Sequence, residues 1–242
     1  MKALPAIALM LSAAAVPVPS AAQPKNDPLE GYNRAMFAFN DAIDAAVVAP
    51  LARGYQAVVP ELARNGVTNF FANFGDGWSA VNQLLQGKGE AAATMTFRVM
   101  TNSLFGIGGL FDVASDLGME RQSEDFGQTL GRWGLPAGAY FVWPLFGPST
   151  VRDSLGRPAD IAWSTSRLIE HERTAYSITA LSLLDSRANL LGASKLLDGI
   201  ALDKYTFVRD AYIARRRSLV YDGNPPELPD EAEPVSPTPS KP

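Results

Sequence analysis

Apolar positions recur at helical spacing along most of this chain. Asp27-Pro28-Leu29-Glu30 reads as a helix start, with Asp27 as cap, Pro28 at the first helical position and Glu30 placed to bond back to the cap's amide. The helix that follows carries Tyr32, Met36, Phe37, Phe39, Ile43, Val47 and Val48, a wider apolar face than one core stripe requires. Pro50 is expected to end or bend it. Leu51 to Tyr55 reads as a short helix stopped by Pro60. Over residues 61–74, Val67, Phe70, Phe71 and Phe74 fall at helical spacing, with Arg64, Asn65, Thr68 and Asn69 between them. Gly75-Asp76-Gly77 predicts a turn, residues 78–85 another short helix, and Gly87-Lys88-Gly89 its close. Residues 90–104 predict a helix that is apolar almost all round, with Arg98 and Asn102 its main polar members. A helix of that kind is either central or in contact with lipid.

The pattern then changes. Gly106, Gly108 and Gly109 predict a flexible stop, and Phe111-Asp112-Val113-Ala114 the start of a short element. Residues 115–147 interleave Gly118, Gly127, Gly131, Gly134, Gly138 and Gly147 with Phe126, Trp133, Tyr140, Phe141, Trp143 and Phe146. That is too rich in glycine for one long helix, and predicts a mobile aromatic loop region with an extended piece around Tyr140–Trp143. A short helix over 149–155 and two or three helices across 160–198 follow, then a last helix from Asp203 that Asp222-Gly223 ends. No internal repeat is present.

Composition sharpens this picture. Hydrophobic residues make up 47% of the 242 and charged residues 19%, below the usual share of about 25%. An apolar excess without a long apolar run implies apolar surface that faces something other than protein core. Lys2, the apolar stretch over 3–16 and the small residues ending at Ala22 predict a signal peptide over 1–22. Pro5, Pro17 and Pro19 break that stretch short of the roughly 20 residues a membrane span needs. Downstream, no run approaches 18 apolar residues, so no ordinary transmembrane helix is expected. Residues 23–223 then form one domain, and 224–242, with seven prolines, predict a disordered tail. The net charge of −4 lies in the C-terminal stretch from Asp222 onward, and the rest is formally neutral, without the basic surface that nucleic acid requires. With no cysteine there is neither disulfide nor thiolate chemistry. The single histidine, His171, lies between Glu170 and Glu172 and reads as solvated. No hydrolase elbow, zinc helix or phosphate loop occurs, so neither enzyme activity, cofactor nor metal is expected.

The ordered motifs resemble the MlaA (VacJ) family. Asp27-Pro28-Leu29-Glu30, Asn33-Arg34 and Phe37-x-Phe39-Asn40 are similar to its opening. Asn82-Gln83-Leu84-Leu85-Gln86-Gly87, Gly106-x-Gly108-Gly109-Leu110-x-Asp112-Val113-Ala114 and Asp125-Phe126-Gly127-Gln128-Thr129-Leu130-Gly131 continue it. Tyr140, Pro144, Gly147-Pro148-Ser149-Thr150, Arg152-Asp153, Tyr205, Val208-Arg209, Tyr212 and Arg215-Arg216 complete it. Singly each is weak; in order over about 27–223 they are specific. The resemblance implies an all-α ring of short amphipathic helices in the inner leaflet of the outer membrane, around an amphipathic channel. Phospholipid strayed into the outer leaflet passes through it to a soluble periplasmic lipid carrier of the Mla system, beside a trimeric porin. The family is described as lipoproteins, and this chain has no cysteine to acylate. Retention then falls to the apolar outer face or to the porin.

A lipid path needs an apolar wall, polar groups for the headgroup and a gate, but no reactive group. Phe37, Phe39, Phe70, Phe71 and Phe74 are channel candidates, with core packing the alternative for each. Trp133, Gly134, Gly138 and Tyr140 are gate candidates, with ordinary turns the alternative. Arg34, Arg64 and Arg98 are candidates for phosphate, as guanidinium suits that geometry, whereas Arg152 beside Asp153 reads as a structural ion pair. Arg209, Arg215, Arg216 and Arg217 form a basic helix end suited equally to the helix dipole, anionic headgroups or the carrier. A soluble periplasmic lipid carrier and a structural envelope protein are the alternative functions.

Overall fold

Helices α1 (Glu30–Ile43) and α2 (Ala49–Val58) form one continuous rod through a π-helical turn at Asp44–Val48 in the computed structural model, which describes residues 27–227. Pro50, expected to break this helix, sits just after the turn, where the Ala49 amide bonds back five residues to Asp44. The widened turn gives the proline ring room against the preceding carbonyls. The 29-residue helix that results is long and apolar enough to cross a membrane by length and composition. That corrects the expectation from uninterrupted apolar runs, which Asp41 and Asp44 conceal. Both acids are paired, Asp41 with Lys204 (2.7 Å) and Asp44 with Arg187 (2.7 Å). At the start, Asp27 does not form the expected capping box. Its carboxylate accepts from the Leu29 amide and the Asn33 amide group (3.0 Å each), so a turn precedes α1 and Glu30 pairs with Arg34 instead.

Helix α3 (Glu61–Leu85) runs straight through Gly75-Asp76-Gly77, expected as a turn. Tertiary contact overrides propensity here: Asp76 is buried and bound by Arg98 and Arg121, and Gly77 lies against the Trp163 ring. A short connection at Gly87 (φ 77°) leads to α4 (Gly89–Phe105), and the two helices share the most extensive helix contact in the fold. The faces they bury are polar: Asn73, Asp76, Asn82 and Gln83 on α3, Arg98 and Asn102 on α4. Met95 is buried among them, but other large apolar side chains point outward, with Leu104 73% and Phe105 74% exposed.

Asp112 caps α5 (Val113–Asp116) and Asp125 caps α6 (Phe126–Arg132), each accepting the amide of the third residue on. The region expected as mobile loop is therefore partly helical. The extended piece at Tyr140–Trp143 is present as β1, paired antiparallel with β2 (Gly147–Thr150) in the register Tyr140 to Thr150 and Trp143 to Gly147. Residues 149–150, expected as helix, belong to this hairpin; Thr150 then caps α7 (Val151–Ala162) through the Asp153 amide. A 3₁₀ turn (Thr165–Leu168), α8 (Glu172–Ile200) and α9 (Lys204–Val220) follow. As expected, Asp203 starts the last helix and Gly223 (φ 85°) stops it. The architecture is mostly helical. The expected signal peptide and the tail beyond residue 227 lie outside the described residues. Among the described residues a small apolar cluster forms around Tyr140, Val142 and Tyr205, backed by Met36, Phe37, Tyr212 and Ile213.

Candidate functional site: two cavities and a polar interior

The interior is built on charge. Arg98, fully buried, bonds Asp76 (3.2 Å), Asp112 (2.8 Å), Ser115 (3.2 Å) and the Met119 carbonyl. Asn102 donates to Asp112 (2.9 Å) and accepts from the Ala114 amide (2.8 Å), and Arg121 joins from outside (2.9 Å to Asp76). Burial pushes the Asp76 carboxyl up against the pull of the two arginines. Burial raises Asp112 as well, but the Ser115 and Asn102 hydrogen bonds and the Arg98 charge outweigh it and hold that carboxyl at about 2. Arg98 thus has its guanidinium committed to structure, and is not available to a headgroup.

Two cavities open beside this interior. An apolar one of about 340 Å³ lies between α3, α4 and the end of α7, walled by Phe70, Phe74, Val99 and Trp163, with Asn73 and Ser103 as its polar members. Trp163 stacks on Trp78 (5.2 Å) and leans on Phe74 (6.2 Å). The Asn73 carbonyl oxygen is buried without a partner among the described residues. A polar cavity of about 390 Å³ lies between α7 and α9 and includes Asp125, Asp153, Arg157, Asp160, Tyr212 and Arg216.

The channel candidates do not converge. Phe70 and Phe74 line the apolar cavity, with Phe71 edge-on to Phe70 (5.5 Å). Phe37 packs on Tyr205 (5.8 Å) in the aromatic core, and Phe39 is exposed on the outer surface. Tyr140 also belongs to that core, its hydroxyl without a partner among the described residues and pushed up to about 12 by burial. Trp133 is exposed and donates its indole N–H to the Leu85 carbonyl (3.0 Å). Gly134 (φ 95°) borders open space, whereas Gly138 (φ 70°) is wedged against Val151.

Most candidate arginines are already spoken for. Arg34 pairs with Glu30 and Asp203 and lies over the Tyr205 ring (4.5 Å). Arg209 pairs with Asp210 (2.8 Å), and Arg216 with Asp125 and Asp153 (2.9 Å). Arg152 bonds Asp153 (2.9 Å), as expected. Arg64, whose Nε is buried without a partner, and the exposed Arg215 make no ion pair among the described residues. His171 is exposed at the start of α8. Trp163, Asn73, Arg157 and Asp160 escape sequence reasoning, because nothing in their local spacing marks a cavity that distant elements close.

Among the described residues many buried positions are polar while many large apolar side chains are exposed, and no group of residues suited to a metal ion occurs among them. The chain belongs to the MlaA family: the MlaA lipoprotein profile matches residues 25–219. It is 34% identical over 210 residues to the intermembrane phospholipid transport system lipoprotein MlaA of Escherichia coli K12, covering 83% of this chain and 81% of that protein. It is 33% identical to the corresponding protein of Haemophilus influenzae over 224 residues, 86% of each chain. A chain solved in work on the structural basis for maintenance of bacterial outer membrane lipid asymmetry superposes with a TM-score of 0.71. That match has 34% identity and covers 81% of this chain and all of the other.

Proposed function

We propose that this protein lies in the inner leaflet of the outer membrane as a ring of amphipathic helices. From there it removes phospholipid misplaced in the outer leaflet through an amphipathic channel. It passes the lipid to a soluble periplasmic carrier of the Mla system, and it sits beside a trimeric porin. One observation carries the reading. Fully buried positions are held by Arg98, Asp76, Asn82, Asn33 and Asn102, while Leu62, Leu104, Phe105 and Leu155 lie on the surface. Exposed apolar surface of this extent supports an exterior covered by lipid. Relatives of about a third identity named for intermembrane phospholipid transport support the substrate class. No reactive constellation is needed, since moving a lipid breaks no bond.

Deletion of the gene in its native host tests this. Phospholipid should appear on the cell surface, accessible to a phospholipase added outside, and the protein should require detergent for release from the membrane fraction. Release by osmotic shock alone would favour a soluble carrier. Unchanged surface lipid in the deletion would defeat the transport reading.

A further inference from the structure

The polar cavity between α7 and α9 holds more charge than its own pairing consumes. Arg216 bonds Asp125 and Asp153, and Arg152 bonds Asp153 as well. Tyr212 donates to Asp153 (2.8 Å), and the Gln128 amide to Asp125 (2.8 Å). These two arginines and two aspartates balance. Two opposite charges are left over, three residues apart on α7. Arg157 makes no ion pair or hydrogen bond among the described residues; its guanidinium lies over the Phe146 ring, 4.7 Å from the centroid. Asp160 accepts the Trp78 indole N–H (2.7 Å) and the Phe126 amide (2.9 Å), both on Oδ1, and no cation among the described residues forms an ion pair with it. Its Oδ2 has no hydrogen-bond partner among the described residues, and Asp160 lines the cavity. Although i and i+3 on one helix, Arg157 and Asp160 form no bridge with each other. Apolar surface adjoins it: Ile161, on its lining, and Phe146, under Arg157, are both more than half exposed.

We propose that this cavity recognises the zwitterionic phosphoethanolamine headgroup of a phospholipid, with Arg157 taking the phosphate and Asp160 the ammonium. The inference rests on the phospholipid reading above and adds a headgroup class to it. Guanidinium gives phosphate a planar pair of donors, and the ring beneath Arg157 holds it in place. A carboxylate with one oxygen fixed by two donors and the other open presents a directed acceptor to an ammonium. Burial raises the Asp160 carboxyl, so an arriving cation would lower it again. An anionic headgroup ending in glycerol offers Asp160 no charge, and the adjoining apolar surface lets acyl chains remain in lipid while the headgroup enters.

The test uses purified full-length protein incubated with vesicles of equal phosphatidylethanolamine and phosphatidylglycerol, with the bound lipid identified by mass spectrometry. Wild type should retain ethanolamine lipid in preference by about fivefold, the scale of one partly exposed charge pair. Asp160→Asn keeps an acceptor for Trp78 and Phe126 and should bind both lipids without preference. Arg157→Gln should bind both less. Glycerophosphoethanolamine should displace bound lipid where inorganic phosphate does not. Equal retention of the two lipids by wild type, an Asp160→Asn protein with preference intact, or displacement by phosphate alone would overturn the assignment. Binding of neither lipid would sink the phospholipid reading with it.

Discussion

Gly138 separates a gate from a turn. It follows Ala137 and precedes Ala139, whose carbonyls accept from the Arg152 and Val151 amides (3.1 Å each), so its backbone is pinned to the start of α7. Its φ is +70°, and a Cβ placed there would stand 2.9 Å from the Val151 Cβ. Gly138→Val therefore meets two penalties. Left-handed backbone costs a β-branched residue about 1–2 kcal/mol, and forced packing into a filled site adds about 1–3 kcal/mol. A total near 3 kcal/mol corresponds to a fall in Tm of about 6–12 °C for a domain of this size. Gly134→Val is the matched control: φ is +95°, but nothing lies within 4 Å of the added atom, so only the backbone penalty applies. It should lower Tm by about 3–6 °C. Melting in detergent, protein abundance in the membrane and surface-exposed phospholipid are measured together for both variants. A Gly138→Val protein of normal stability and abundance that still leaves phospholipid on the surface would refute the turn and restore the gate. Equal shifts for the two variants would refute the packing component.

Arg98→Met should cost about 3–5 kcal/mol, because Asp76, 2% exposed, would keep only Arg121 as a partner; a melting shift below a few degrees would show that water enters the site. Asp112, held near 2 and below its unfolded value of 3.8, contributes stability that is present above about pH 4 and is lost as pH falls towards 2. The difference in melting temperature between wild type and Asp112→Asn should therefore shrink over that range, and a constant difference would refute the assignment. Leu104→Ser with Phe105→Ser should leave the fold in detergent within about 0.5 kcal/mol yet weaken flotation with phospholipid vesicles, as both side chains are more than 70% exposed; unchanged flotation would mean that this face does not meet lipid.

Local signals carried much of the fold. Aspartate at a helix start and glycine at a stop act within one turn, and so Asp112, Asp203 and Gly223 mark true boundaries. The extended Tyr140–Trp143 stood out because aromatics cluster between glycines. Failures fell where distant contacts decide. Nothing near Gly75 and Gly77 reveals that Asp76 is bound by arginines 22 and 45 residues away, and nothing near Pro50 announces the π turn that accommodates it. The phenylalanine candidates were split for the same reason: Phe70 and Phe74 share a helix face towards Trp163, while Phe37 turns towards Tyr205.

The deeper obstacle is that periodicity gives the face of a helix but not the side on which the solvent lies. The segment of α4 is nearly apolar all round, and its few polar residues, Arg98 and Asn102, would face water in an ordinary surface helix. Here they face inward, because each finds a complete set of partners: Arg98 among Asp76, Asp112, Ser115 and a carbonyl, Asn102 between Asp112 and the Ala114 amide. A polar interior demands that every group be satisfied, so its residues must come from separate elements that bring donors and acceptors to one place. Asp76, Asp112, Asp125, Asp153 and Asp185 are among such hubs in this fold, each bound from at least one other element. Directional bonds then specify the fold together with the small apolar cluster around Tyr140 and Tyr205. That division leaves the outer surface free to be apolar. It also sets Arg157 and Asp160, opposite charges that no bridge joins, beside the balanced ion pairs of Arg152, Arg216, Asp125 and Asp153, and that contrast is what carries the proposed headgroup site.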